Sequence, residues 1–126
     1  MQIRTIPIKY LTPTDIPRDE VMKFYSILDS YTFSILPMPQ VWLSRKELFI
    51  SDGNNYVVFS AYKGKKEIKA ELRREIEEPV FSSWLEETKA DAKILKLLGV
   101  KSPYDLVPLV DWNRIENRVR ENRRFG

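Results

Sequence analysis

A chain of 126 residues, 43% apolar and 31% charged, has the length and balance of one folded domain and is too apolar for a disordered chain. It contains neither cysteine nor histidine, which excludes disulfides, thiolate chemistry, cysteine-ligated zinc and any Ser-His-Asp triad. The net charge of +3 sits at one end: residues 114–126 hold five arginines against two glutamates, and the remaining 16 basic and 16 acidic residues cancel, which argues against a broad nucleic-acid-binding face on the body.

No stretch approaches the roughly 18 consecutive apolar residues of a membrane span, and the first residues lack the apolar run of a signal peptide. The expectation is a cytoplasmic protein without membrane association. Residues 2–10 read as a strand, with Ile3, Ile6, Ile8 and Tyr10 loosely alternating. Pro7 lacks an N–H and places that strand at a sheet edge. Residues 17–29 predict a helix: Pro17 suits the first position, Asp19 and Glu20 suit the first turn, and Val21, Phe24, Tyr25 and Leu28 share a face. Residues 31–39, with Pro37 and Pro39, predict a loop. Residues 40–43 and 47–51 predict short strands.

The next segment has two readings. Asp52-Gly53 before Tyr56-Val57-Val58-Phe59 looks locally like a hairpin. The alternative is a turn followed by a helix from about Asn54 to Tyr62, closed by Gly64, with residues 67–72 as the next strand. Further on, Ser83-Trp84-Leu85-Glu86 reads as a capping box opening a helix that ends at Gly99, with Leu85, Ala92 and Leu95 on its buried stripe. Pro103 and Pro108 bracket a connector. Asp111 caps a last helix with Trp112, Ile115 and Val119 on one side. Trp42, Trp84 and Trp112 fall on different elements and read as core residues.

The ordered set Leu36-Pro-Met-Pro-Gln-Val-Trp-Leu, Glu47-Leu-Phe-Ile-Ser-Asp-Gly-Asn-Asn and Phe59-Ser-Ala-Tyr-Lys-Gly-Lys-Lys-Glu-Ile-Lys-Ala-Glu-Leu72 resembles the ParB/sulfiredoxin superfamily, also called ParB-like nuclease domains. The resemblance covers about residues 2–73 and includes Leu11-x-Pro13 and Arg18. It implies an α/β (α+β) fold with a small mixed sheet and flanking helices: a core at 1–78, then a helical extension with a basic tail at 79–126. It also implies the helical reading of 54–62, with Ser60 and Ala61 as small residues at a helix–sheet contact. Two departures stand out. Where the family motif Asp-Gly-x-His-Arg has His and Arg, this chain has Asn55 and Tyr56, and sulfiredoxin's cysteine is absent.

By this resemblance Asp52, Gly53, Asn54 and Asn55, with Arg18, are the candidate nucleotide- or phosphate-binding residues. A helix N-terminus attracts anions there, and the candidate ligand is a nucleotide with Mg²⁺. The plain alternative is a structural turn capped by Asp52 and Asn54. Arg114, Arg118, Arg120, Arg123 and Arg124 are candidate DNA phosphate contacts, or part of a helix that meets a protein partner or a second copy. No catalytic residue or metal ligand is assigned. Three functions follow: a ParB-like regulatory binding module, a phosphotransferase or nuclease with Mg²⁺ on Asp52 and Glu20, or an interaction domain that has lost the ancestral site.

Overall fold

In a computed structural model of the protein, the backbone of residues 2–125 is described, and the side chains of all of these except 118, 119 and 121–125. The predicted α+β class is what forms. A five-stranded mixed sheet has the order β1-β5-β3-β4-β2, built from β1 (Gln2–Pro7), β2 (Leu11–Thr12), β3 (Gln40–Ser44), β4 (Glu47–Asp52) and β5 (Glu67–Arg74). β1 pairs antiparallel with β5, β3 parallel with β5, β3 antiparallel with β4, and β2 parallel with β4.

Pro7 ends β1, and β1 is an edge strand, as a residue without an N–H requires. The strand expected over 2–10 therefore stops early. Residues Ile8–Tyr10 form a 3-10 turn, and the chain re-enters the sheet at the opposite edge as β2. Beyond it lie α1 (Asp19–Ile27) and α2 (Ser30–Ser34). α2 occupies part of the expected loop. Asp29 nucleates it, accepting the Thr32 N–H at 2.7 Å.

The segment after Asp52 is a helix, α3 (Asn54–Tyr62), and it is apolar on two sides. Val57 and Ala61 join Val41, Ile50, Ile68 and Ala70 in the core over the sheet. Val58 and Phe59 join a second cluster with Met22, Phe33, Leu106 and Ile115. α3 is thus the middle layer between the sheet and an outer shell. Ser60 is fully buried, its hydroxyl donating to the Tyr56 carbonyl at 2.9 Å, which removes the cost of an unpaired polar atom.

On the other sheet face Trp42 meets Phe81 and Trp84 at ring distances of 5.7 and 5.8 Å. α4 (Ser82–Leu97) begins there and buries Leu85, Ala92 and Leu95, the predicted stripe, with Leu95 joining the second cluster. Its predicted capping box does not form. The 3-10 turn Pro79–Phe81 runs straight into the helix, so Phe81 takes the cap position and Ser83 lies inside the first turn. Trp42 is a core residue as expected, whereas Trp84 is 45% exposed. A capped 3-10 segment (Pro103–Leu109) leads to α5 (Trp112–Phe125), where Asp111 Oδ1 accepts the Arg114 N–H as predicted. Trp112 stacks on Tyr62 at 3.7 Å and Ile115 is buried, which docks the helix; Val119 lies outside the described side chains.

Candidate functional site

The Asp52 turn is built by three local devices. Opposite Gln40 and Val41 the β4 register shifts by one residue, a bulge at Ser51 that bends the strand end, and Ser51 Oγ donates to the Gln40 carbonyl at 3.2 Å. Gly53 then adopts φ +91°, a left-handed conformation that glycine takes without penalty. Pro39 packs directly against it: a Cβ on Gly53 would lie 2.9 Å from Pro39 Cα. The glycine therefore serves a close approach by the chain's own backbone. Glycine in a phosphate-binding turn and glycine at a backbone crossing give the same sequence letter.

Asn54 and Asn55 reach back to the segment between β2 and α1. Asn54 Oδ1 accepts the Thr14 N–H at 2.9 Å, and Asn54 Nδ2 donates to Thr14 Oγ1 at 3.0 Å. Thr14 Oγ1 in turn donates to the Ile50 carbonyl at 2.5 Å. Asn55 Oδ1 accepts the Arg18 N–H at 2.8 Å. Both carboxamide oxygens are thus engaged by backbone donors, and the Thr14–Arg18 segment is tied to the start of α3. Arg18 joins the predicted group through its backbone. Asp52 is exposed and opens on the turn. Among the described residues the N–H groups of Asn54, Asn55 and Tyr56 have no partner, since the first helical bond is from Val57 to Gly53.

Tyr56 lies in an aromatic cluster. Its ring stacks on Phe33 at 4.5 Å and 4°, and Tyr25 meets it edge-on at 6.4 Å. Burial pushes the Tyr56 phenol above its usual pKa. Burial, then the neighbouring Tyr56 and Asp52, do the same for Tyr25. Both hydroxyls are neutral donors at pH 7.

The other candidates lie apart. Glu20 lines a depression with Asp19, Lys23, Arg114 and Ile115, and Asp52 is not in its wall. Arg114 therefore sits beside the acidic first turn of α1. Arg120 is exposed, and the side chains of Arg118, Arg123 and Arg124 lie outside the described residues. Among the described residues no three acidic groups converge as a metal site, and no helix is long and apolar enough to cross a membrane.

A second polar cluster carries no sequence signature, because its members come from β3, the 3-10 turn after β5 and α4. Glu75 lies 3.0 Å from Lys89, which also reaches Glu86 at 3.2 Å. The Ser44 hydroxyl, then Lys89, hold the Glu75 carboxyl below the usual carboxylate range. Each charge has a partner in the chain, so the cluster reads as the polar seam joining α4 to the sheet.

No protein-family model matches the sequence, and no curated protein matches it. Among solved structures, the crystal structure of protein Atu1540 from Agrobacterium tumefaciens is similar with a TM-score of 0.47 and 14% identity, over 58% of this chain. The aligned region spans 39% of that protein's length.

Proposed function

We propose that the chain is a cytoplasmic, ParB-like binding module that acts by holding a macromolecular partner, and that its Asp52 turn is a structural clasp. The observation that supports this is the tie the two asparagines make to the Thr14–Arg18 segment: Asn54 uses both ends of its carboxamide on Thr14, and Asn55 accepts the Arg18 N–H. Among the described residues the backbone N–H groups that open α3 are free, but a phosphate-binding turn also needs a positive charge in place. Here the family's arginine is a tyrosine packed among aromatic rings, and a tyrosine supplies neither the charge nor the two-pronged hydrogen bond of a guanidinium.

A second reading has one observation in its favour. The unpartnered N–H groups opening α3 retain the anion preference of a helix start, so a weak phosphate or nucleotide contact with Mg²⁺ on Asp52 is the competing function. A thermal-shift titration with ATP, ADP, CTP and GTP, with and without Mg²⁺, separates the two on wild type and Asp52→Ala. A ligand at one hundred times its Kd raises stability by about 2.7 kcal/mol. The clasp reading expects no nucleotide-dependent shift at millimolar concentration. A shift abolished by Asp52→Ala would overturn it and reopen the phosphotransferase and nuclease readings.

A further inference from the structure

The turn between α3 and β5 concentrates positive charge that neither the clasp nor the α5 arginines explain. Lys63, Lys65, Lys66 and Lys69 are all exposed, with Glu67 the single acid among them. Among the described residues none of the four forms an ion pair, although Lys89 and Lys96 both do. Gly64, at φ +83°, reverses the chain here. Two hydrogen bonds extend the ridge. The Ile8 N–H donates to the Lys66 carbonyl at 2.9 Å, bringing Lys9 and the exposed Tyr10 alongside. Tyr104 Oη donates to the Lys65 carbonyl at 3.1 Å.

Depressions with aromatic walls open on both sides of Lys65. One, of about 410 Å³, lies between Tyr56, Leu36 and Met38, with Lys69 on its rim. The other, of about 340 Å³, is bounded by the half-buried Tyr25 and by the core residues Phe33 and Phe59, with Lys63 on its rim. The Phe33–Tyr56 stack is the wall between them. Lys65 Nζ sits 5.5 Å above the Phe33 ring and Lys63 Nζ 5.7 Å above Phe59, so two ammonium groups are held at the mouths of apolar recesses. Glu67 and Asp29 also line these recesses. The Asp29 carboxylate is turned to the start of α2, where the Thr32 N–H lowers its pKa, so its charge is met locally.

We propose that this surface binds single-stranded nucleic acid, with phosphates along the lysine ridge and unstacked bases in the two flanking recesses. Alternating amines and aromatic walls is the arrangement that tracks a single strand: the backbone supplies regularly spaced anions and each base supplies a flat apolar face. A duplex hides its bases in the stack, and an acidic protein would use the amines and leave the recesses empty. The inference rests on the binding-module reading and names its partner class.

The test is fluorescence anisotropy of the full chain with labelled single-stranded DNA and RNA, a duplex of equal length, and heparin as a plain polyanion. Three or four phosphate contacts on a single strand give a slope of log K against log[salt] of about −2 to −3. Lys63→Ala/Lys65→Ala/Lys66→Ala is expected to weaken single-strand binding at least about tenfold and to flatten that slope by about 2, with the unfolding midpoint unchanged because these side chains are exposed. Neutralising Arg118, Arg120, Arg123 and Arg124 is expected to leave binding in place. No single-strand binding at about 50 mM salt, equal binding of single strand, duplex and heparin, or binding that the triple-lysine variant retains would each overturn the inference. So would loss of binding in the arginine variant alone. Asp52→Ala is carried in parallel: single-strand binding lost there would sink the clasp reading as well, whereas no binding to any probe and no nucleotide shift would sink this inference alone.

Discussion

Gly53→Ala is the sharpest probe of the Asp52 turn. Two costs act together. An L-residue at φ +91° carries left-handed strain of about 1–2 kcal/mol. The new methyl would also lie 2.9 Å from Pro39 Cα, a backbone atom that a rotamer change cannot move aside. Pro39 is buried and its carbonyl accepts the Glu71 N–H at 2.9 Å, so displacing it disturbs the entry into β3, with an overpacking cost of about 1–3 kcal/mol. Against this, alanine restricts the unfolded chain and returns about 0.4–1 kcal/mol. The net destabilisation is about 2–4 kcal/mol, a fall in unfolding midpoint on the order of 10 °C for a domain of this size. Gly64→Ala is the internal control: φ is +83°, but nothing lies within 4 Å of its Cβ, so strain alone acts and the net cost is about 1 kcal/mol or less. Urea unfolding of the two variants beside wild type reads the difference directly. If Gly53→Ala falls within about 0.5 kcal/mol of Gly64→Ala, the Pro39 crossing yields freely and the turn is not a tight backbone junction.

Asn54→Ala removes the acceptor for the Thr14 N–H and the donor to its hydroxyl, and should cost about 1–3 kcal/mol, while Asn55→Ala, at a more exposed bond, should cost about 1. Amide exchange at Thr14 and Arg18 should quicken in the matching variant; unchanged exchange would mean that the clasp does not hold the segment. Glu75 supplies a pH test. Its folded pKa is depressed by the Ser44 hydroxyl and then by Lys89, so its contribution is present above the ordinary glutamate value, about 4.3, and is lost as pH falls through the depressed value. Glu75→Gln should therefore lose less stability than wild type between about pH 5 and 3, by urea midpoints, and equal losses would remove Glu75 from the acid response.

β3, β4, β5 and the long helices were legible because their apolar periodicity is local, whereas the two-residue β2 is too short to show one and was not read. α3 was not legible in this way either. Its Val57, Val58, Phe59 and Ala61 are buried on two sides, so no amphipathic stripe marks it, and the ordered resemblance around Asp52-Gly53 was the cue that favoured a helix. α2 was missed because two prolines downstream masked a five-residue helix whose only signal is Asp29 three residues before Thr32. The asparagines mark the limit of reading a site from sequence. Their identities and positions are visible, but what their oxygens bind is decided by residues 40 and 37 positions away, and an asparagine that ties two segments together is spelled the same as one that offers its amide N–H to a phosphate.

Charge shows the same limit from the other direction. A neutral total over the body says nothing about where its charges stand. Residues 63–69 carry four lysines against one glutamate, whereas residues 71–91 carry seven acids against three bases. On the acidic side Glu75, Glu77, Glu78 and Glu86 all meet Lys or Arg partners within the chain. On the basic side the four lysines have none among the described residues. Pairing offsets part of the field of the acids at short range, since three bases meet four of the seven, and the unpaired amines keep theirs over about a Debye length, roughly 8 Å at physiological salt. The domain therefore presents a positive end to an approaching partner even with equal numbers of acids and bases in its body, and the basic surface that matters for recognition is set by which charges the fold leaves unmatched.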